Sequence, residues 1–239
     1  METLALALLV AVASFVGTVS GFGTSTIMVP VLLFFFPLPV TLLFAGIIHW
    51  SVDIWKVALF REGLRWRLIM LFGAPGVLAT FFAVQLVFEV PEILLSRVLG
   101  AFLIGYVGLL LLKPRLKLPK TSGTALAGGV LSGFFAGIFG IGGAVRGAFL
   151  SLFDLPKAVY LATSGAIGFA VDSTRVGAYI SGGATLPSHL FWGLFLFVPA
   201  SLLGAVLAKG IVEKVPQKYF RLLVAVFLLL VGFRLLVFA

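Results

Sequence analysis

Residues 21–63 read GFGTSTIMVPVLLFFFPLPVTLLFAGIIHWSVDIWKVALFREG, and residues 140–182 read GIGGAVRGAFLSLFDLPKAVYLATSGAIGFAVDSTRVGAYISG. A shift of 119 residues (172 − 53) aligns them without a gap, and 13 of the 43 positions are then identical. Gly21 meets Gly140, Gly23 meets Gly142, Pro37 meets Pro156, Gly46 meets Gly165, Asp53 meets Asp172, and Lys56 meets Arg175. Apolar bias inflates chance matches, but it does not readily put two aspartates, each with a cation three residues later, into one register. The chain is therefore expected to be a duplication, with repeats at 1–119 and 120–239. Further on the offset becomes 125, pairing Pro91 with Pro216 and Phe102 with Phe227, as a longer loop in one half would produce.

Composition says where such a chain belongs. Hydrophobic residues make up 62% of the 239 and charged residues 10%, and the mean hydropathy is +1.24, whereas a soluble domain is about half apolar and about a quarter charged. The expected solvent is lipid. A transmembrane β-barrel would need short segments alternating apolar and polar, and Leu222 to Leu230 is apolar on every side, so helices are the expected spans. No basic region precedes the first apolar run, so that run is expected to be retained rather than cleaved as a signal peptide. The chain has no cysteine, which removes disulfides, thiol nucleophiles and Cys-ligated metals. The net charge of +9 lies mainly in short links between apolar spans, where membrane orientation explains it better than nucleic acid does.

Each half predicts five helical segments. In the first they cover Leu4 to Ser20, Thr24 to Phe36, Val40 to Phe60, Leu68 to Phe88 and Leu94 to Leu112. Their counterparts begin near Ala125, Ala144, Ala158, Leu190 and Tyr219. The segment after Gly23 is too short for a hydrocarbon core of about 30 Å. Either Gly21 and Gly23 kink one long tilted helix, or they break a hairpin of half-helices, and recurrence of the break in both halves favours the hairpin. Arg61, Arg65 and Arg67 make one link basic, as do Lys113, Arg115, Lys117 and Lys120 in the central link, while Glu89 and Glu92 make the link between them acidic. In the second half the link at Ser181 to Ser188 has no Lys or Arg, and the next carries Lys209, Lys214 and Lys218. By the positive-inside rule the halves are inserted upside down relative to each other, with both chain ends outside the plasma membrane.

Charges inside lipid are costly, so Asp53, Lys56, Asp172 and Arg175 need partners, and i,i+3 spacing gives each acid its own cation. Such pairs are either structural or exchange partners with an anion or a proton. Arg146 follows Gly140, Gly142 and Gly143 closely, its counterpart is Ile27, and no acid lies within helical reach. It is expected to be an unpaired guanidinium whose planar fork suits an oxyanion, unless it snorkels or braces a loop. Half-helices starting after Gly23 and Gly143 would aim free N–H groups at the membrane middle, and Thr24, Ser25 and Thr26 add hydroxyls. The candidate anion-binding set is Gly21, Gly23, Thr24, Ser25, Thr26, Gly140, Gly142, Gly143, Arg146, Lys56 and Arg175. His49, one turn before Asp53, is a candidate proton relay together with Asp53 and Asp172, or else a structural histidine. His189 falls in a predicted loop. No metal site or cofactor is expected.

The run Gly133-Phe-Phe-Ala-Gly-Ile-Phe-Gly-Ile-Gly-Gly143, then Leu155-Pro156 and Ala162-Thr163-Ser164, resembles the TauE/SafE family of sulfite exporters, also called the TSUP family. The likeness covers nearly the whole chain. It implies anion transport, with sulfite, thiosulfate, sulfoacetate or other organosulfur anions as substrates. The first half departs from the family pattern, having Gly21-Phe-Gly-Thr-Ser-Thr26 in place of a Gly-rich run, and Arg146 stands where a small or apolar residue is commoner.

The expectation is an all-α polytopic membrane protein acting as an alternating-access anion exporter, with a channel as the alternative. An intramembrane enzyme would need a catalytic constellation, and there is no His-Glu-x-x-His pair, Gly-x-Ser-x-Gly elbow or cysteine. The expected partners are a small anion, the bilayer and, as one option, a second copy of the chain in a homodimer.

Overall fold

A computed structural model of the chain describes residues 3–21, 23–60, 63–112, 119–211 and 217–238. Among these there are ten α-helices and no strand: α1 (Thr3–Ser20), α2 (Ser25–Leu32), α3 (Leu38–Leu59), α4 (Trp66–Glu89), α5 (Glu92–Leu112), α6 (Ser122–Phe139), α7 (Gly142–Leu150), α8 (Lys157–Ser181), α9 (Ser188–Ile211) and α10 (Gln217–Phe238). Met1, Glu2, Arg61, Lys113, Arg115, Lys117, Lys214 and Pro216 lie outside the described residues, as do the side chains of Lys218 and Phe227.

Five helices, α1, α3, α4, α6 and α9, are long and apolar enough to cross a membrane. At 1.5 Å per residue the 24 residues of α4 rise about 36 Å. The 8 residues of α2 rise only about 12 Å and the 9 of α7 about 13 Å, well short of the core thickness. The ten expected segments are all present, with α2 ending earlier than its apolar run because Leu33 to Phe36 pass into turns before Pro37. His189 lies in the first turn of α9 rather than in a loop, stacked 6.1 Å from the Phe36 ring.

The breaks are hairpins and not kinks. Gly21 and Gly23 take φ values of 75° and 86°, a region that side chains with a Cβ avoid. The chain then doubles back, so that a methyl group on Gly17 would stand 2.7 Å from the Thr24 amide nitrogen, although seven residues of continuous helix would separate them by about 10 Å. In the second half Gly140 caps α6 in the left-handed conformation, with its N–H bonded to Ala136 O and that of Ile141 to Phe135 O, an αL closure that satisfies carbonyls in the absence of water. The Ser132 hydroxyl then donates to the Gly142 carbonyl at 3.0 Å, tying α7 back against α6.

Packing pairs the helices across the chain. The main partners are α3 with α8, α4 with α6, α1 with α9, and α5 with α10, and secondary contacts join α4 to α8 and α9 to α3. Lipid-like surroundings offer no hydrophobic drive for helices to associate, so close approach must come from small residues. At the α4–α6 seam a Cβ on Gly133 would collide with the Gly76 carbonyl and one on Gly129 with the Phe72 carbonyl. The Thr80 hydroxyl is shared between Gly76 O at 2.7 Å and Gly133 O at 2.9 Å. Bulky apolar groups such as Leu78, Phe82, Trp192 and Phe195 point outward.

Candidate functional site

The α3–α8 crossing brings both charged pairs to one place. Asp53 and Lys56 come from α3 and sit 2.9 Å apart; Asp172 and Arg175 come from α8 and sit 3.0 Å apart. All four are buried, with Asp53 and Arg175 at 0% exposure. The i,i+3 pairs expected from the sequence are therefore present, but they are not self-contained.

Arg146 corrects the expectation of an unpaired guanidinium. It projects from α7 to place Nη2 3.7 Å from Asp53 Oδ2, while Nε donates to the Ser164 hydroxyl at 3.0 Å. The acid arrives from α3, 93 residues earlier (146 − 53). His49 also reaches further than its sequence neighbour. Its Nδ1 lies 3.1 Å from Asp172 Oδ2 on α8, closer than the 3.8 Å between Nε2 and Asp53 Oδ1 one turn away.

Glycines make this crowding feasible. A Cβ on Gly168 would collide with Asp53 Oδ2, one on Gly140 would stand 3.2 Å from Arg175 Nη1, and one on Gly46 would stand 3.4 Å from Arg175 Nε. The two hairpin breaks meet beside the histidine: a Cβ on Gly23 would lie 2.9 Å from His49 Nε2 and 3.3 Å from the Gly143 Cα. Gly21 and Gly142 belong to the hairpins instead, Gly21 against the Tyr160 ring and Gly142 against Ser132 and Ala136. The Thr24, Ser25 and Thr26 side chains are buried. Ser25 donates to Ala45 O at 3.4 Å, and the Thr24 hydroxyl has no hydrogen-bond partner.

Sequence reasoning passed over Ser164 as an arginine ligand and Gly168 as the recess for Asp53. Their spacing, 164–168–172, repeats every four residues and so marks one face of α8, which was a legible signal.

Three basic side chains, Lys56, Arg146 and Arg175, surround two carboxylates, which gives the buried cluster a formal charge of +1 with His49 neutral. Several polar atoms there lack an aligned hydrogen bond: His49 Nε2, Asp53 Oδ2, Asp172 Oδ2, and Nε and Nη2 of Arg175. Arg175 Nη1 donates to Ala136 O at 3.3 Å and Nη2 is held in the ion pair with Asp172, so its buried Nε–H is the guanidinium donor left free for an anion. His49, Asp53 and Asp172 also offer ligand atoms within 4.8 Å of one another. A divalent cation there would have to displace three protein cations already bound to the same carboxylates, so these residues do not fit a metal centre.

Beyond the geometry, a family model described as "Sulfite exporter TauE/SafE" matches residues 6–235. The chain belongs to the TauE/SafE sulfite exporter family. It is a multi-pass membrane protein of a transporter family. No curated protein matches the chain. In this TauE/SafE member the matched span includes all the charged residues of the cluster.

Proposed function

We propose that this chain is a secondary transporter in the cytoplasmic membrane that carries a small anion, sulfite or a related sulfur oxyanion or organosulfonate, by alternating access. The anion binds at the α3–α8 crossing between Arg146, Arg175 and Lys56. The observation that carries this is three buried basic side chains against two carboxylates, with the Arg175 Nε–H left without a partner. A permanent net charge in a membrane interior is costly, and an anion cancels it.

Alternating access asks for two halves that can rock about a fixed site, and several facts support two inverted halves. Helix lengths run 18, 8, 22, 24 and 21 residues in α1 to α5, then 18, 9, 25, 24 and 22 in α6 to α10. The principal helix pairings survive exchange of the halves: α4–α6 becomes α9–α1, while α3–α8 and α5–α10 map onto themselves. The turn at Pro37 lies by Glu92, which accepts from Leu38 N–H at 2.6 Å. The equivalent turn at Pro156 shares a pocket with Arg65, Arg67 and Lys120. One proline turn thus belongs to an acidic end and the other to a basic end, which by charge faces the cytoplasm. Lys209, over the Phe60 ring at 5.9 Å, joins the basic end.

The test is flux of labelled sulfite in proteoliposomes, with thiosulfate, sulfoacetate and sulfate as competitors. Saturable flux with counterflow is expected. Flux that never saturates would indicate a channel, and no flux or binding for any of these anions, from folded protein, would sink the proposal.

A further inference from the structure

The 119-residue shift that aligns Asp53 with Asp172 and Lys56 with Arg175 also sets His49 against Gly168 and Arg146 against Ile27. The two departures are reciprocal. Arg146 serves Asp53 at 3.7 Å, and His49 serves Asp172 at 3.1 Å. Each carboxylate therefore has the cation of its own helix and one further group from elsewhere. For Asp53 that group is a guanidinium, which does not serve as a proton donor in proteins; for Asp172 it is an imidazole, whose second ring nitrogen can take up and release a proton. A second histidine at position 168 would have no room, because a Cβ there would collide with Asp53 Oδ2 and stand 2.7 Å from Arg146 Nη2.

The charged groups around His49 are Asp53 and Lys56 on its own helix, Arg146 on α7, and Asp172 and Arg175 on α8. From the α1–α2 break Gly23 stands against it. The nearby phenols are turned to backbone, Tyr160 to the Gly21 carbonyl and Tyr179 to the Gly137 carbonyl. The short contact to Asp172 selects the tautomer with its proton on Nδ1. Nε2 is then a buried lone pair without a hydrogen-bond partner, and it is the atom that accepts a second proton.

We infer that His49 is the proton site of a coupled cycle in which a divalent sulfur oxyanion enters with one proton on Nε2, whereas a monovalent sulfonate enters without one. This rests on the anion site proposed above. The charges balance: the cluster is +1, so a monoanion alone neutralises it, and a dianion does so only when His49 adds a second positive charge. Only the N–H bond forms and breaks, and the proton leaves to the side on which the dianion is released.

The probes are thiosulfate and methanesulfonate, since sulfite itself takes up a proton near neutral pH and would blur the result. Wild-type protein in vesicles loaded with a pH-sensitive dye is expected to move a proton with each thiosulfate, in the same direction, and none with methanesulfonate. In detergent the thiosulfate dissociation constant should rise with pH, by up to about tenfold per unit as linkage to one proton requires, and His49→Gln should remove that slope. Thiosulfate flux without protons, or an unchanged slope in His49→Gln, overturns the inference and leaves the anion site standing. Should His49→Gln fail to fold, the wild-type dye measurement decides alone. Wild-type protein that is folded yet binds and moves no anion removes the anion site and this inference with it.

Discussion

The α4–α6 seam and the α3–α8 crossing are both lined with glycine, yet the glycines do opposite things. At the seam Gly76, Gly129 and Gly133 let backbone meet backbone, and the Thr80 hydroxyl is the polar group bound there. At the crossing the glycines make room for side chains: Gly46 for Val176 and Arg175, Gly140 for Val29, Leu42 and Arg175, and Gly168 for the Asp53 carboxylate and Arg146. Removing a Cβ at a seam increases contact between helices in a solvent that gives them no other reason to associate. Removing one at the crossing opens a polar recess and forgoes packing. The seam should therefore govern whether the protein holds together, and the crossing what it does.

The strongest way to break that division is Gly133→Val. The new side chain would meet the rigid Gly76 carbonyl, so a stability loss of about 3 kcal/mol is expected, read as a lowered midpoint of thermal unfolding in detergent. A variant that unfolds like wild type would mean the seam is not the mechanical joint. Next comes Arg146→Ala, which leaves Asp53 without its cross-chain cation. Anion flux should fall at least about tenfold, with Arg146→Lys recovering part of it, and unaffected flux would remove Arg146 from the site. Gly168→Ala sharpens the contrast most finely. Its Cβ meets the movable end of Asp53 and not backbone, so a stability cost of only about 1 kcal/mol is expected, together with a clear loss of anion affinity in equilibrium binding. Equal damage to both properties would mean the two kinds of glycine are the same.

The same division explains what could be seen in advance. Spans, breaks and the i,i+3 pairs depend on neighbours within a few residues, and Asp53–Lys56 and Asp172–Arg175 were legible for that reason. The second companion of each carboxylate was not, because Arg146 lies 93 positions from Asp53, and His49 lies 123 from Asp172 (172 − 49). Arg146 has no acid within helical reach on its own segment, and its partner comes from α3. The glycines were legible as breaks at Gly21, Gly23 and Gly140, where the backbone itself needs them. They were opaque at Gly168, whose role is defined by a carboxylate from another helix. His189 belongs to α9 because the Pro187 carbonyl accepts from the Leu190 and Phe191 N–H groups, which starts the helix at Ser188, two residues before the expected Leu190.

The pairing of α1 with α9 also sets a timetable. Ser14 gives its hydroxyl to the Ser201 carbonyl at 2.6 Å across 187 residues of chain. At ribosomal speeds of about 5 to 20 residues per second, the first helix waits roughly ten to forty seconds before its partner has been made. Thr80 of α4 needs only the 53 further residues that deliver Gly133, a delay of about three to ten seconds. The newborn protein closes α4 on α6 first, and α1, though made before either, is clasped only once α9 arrives.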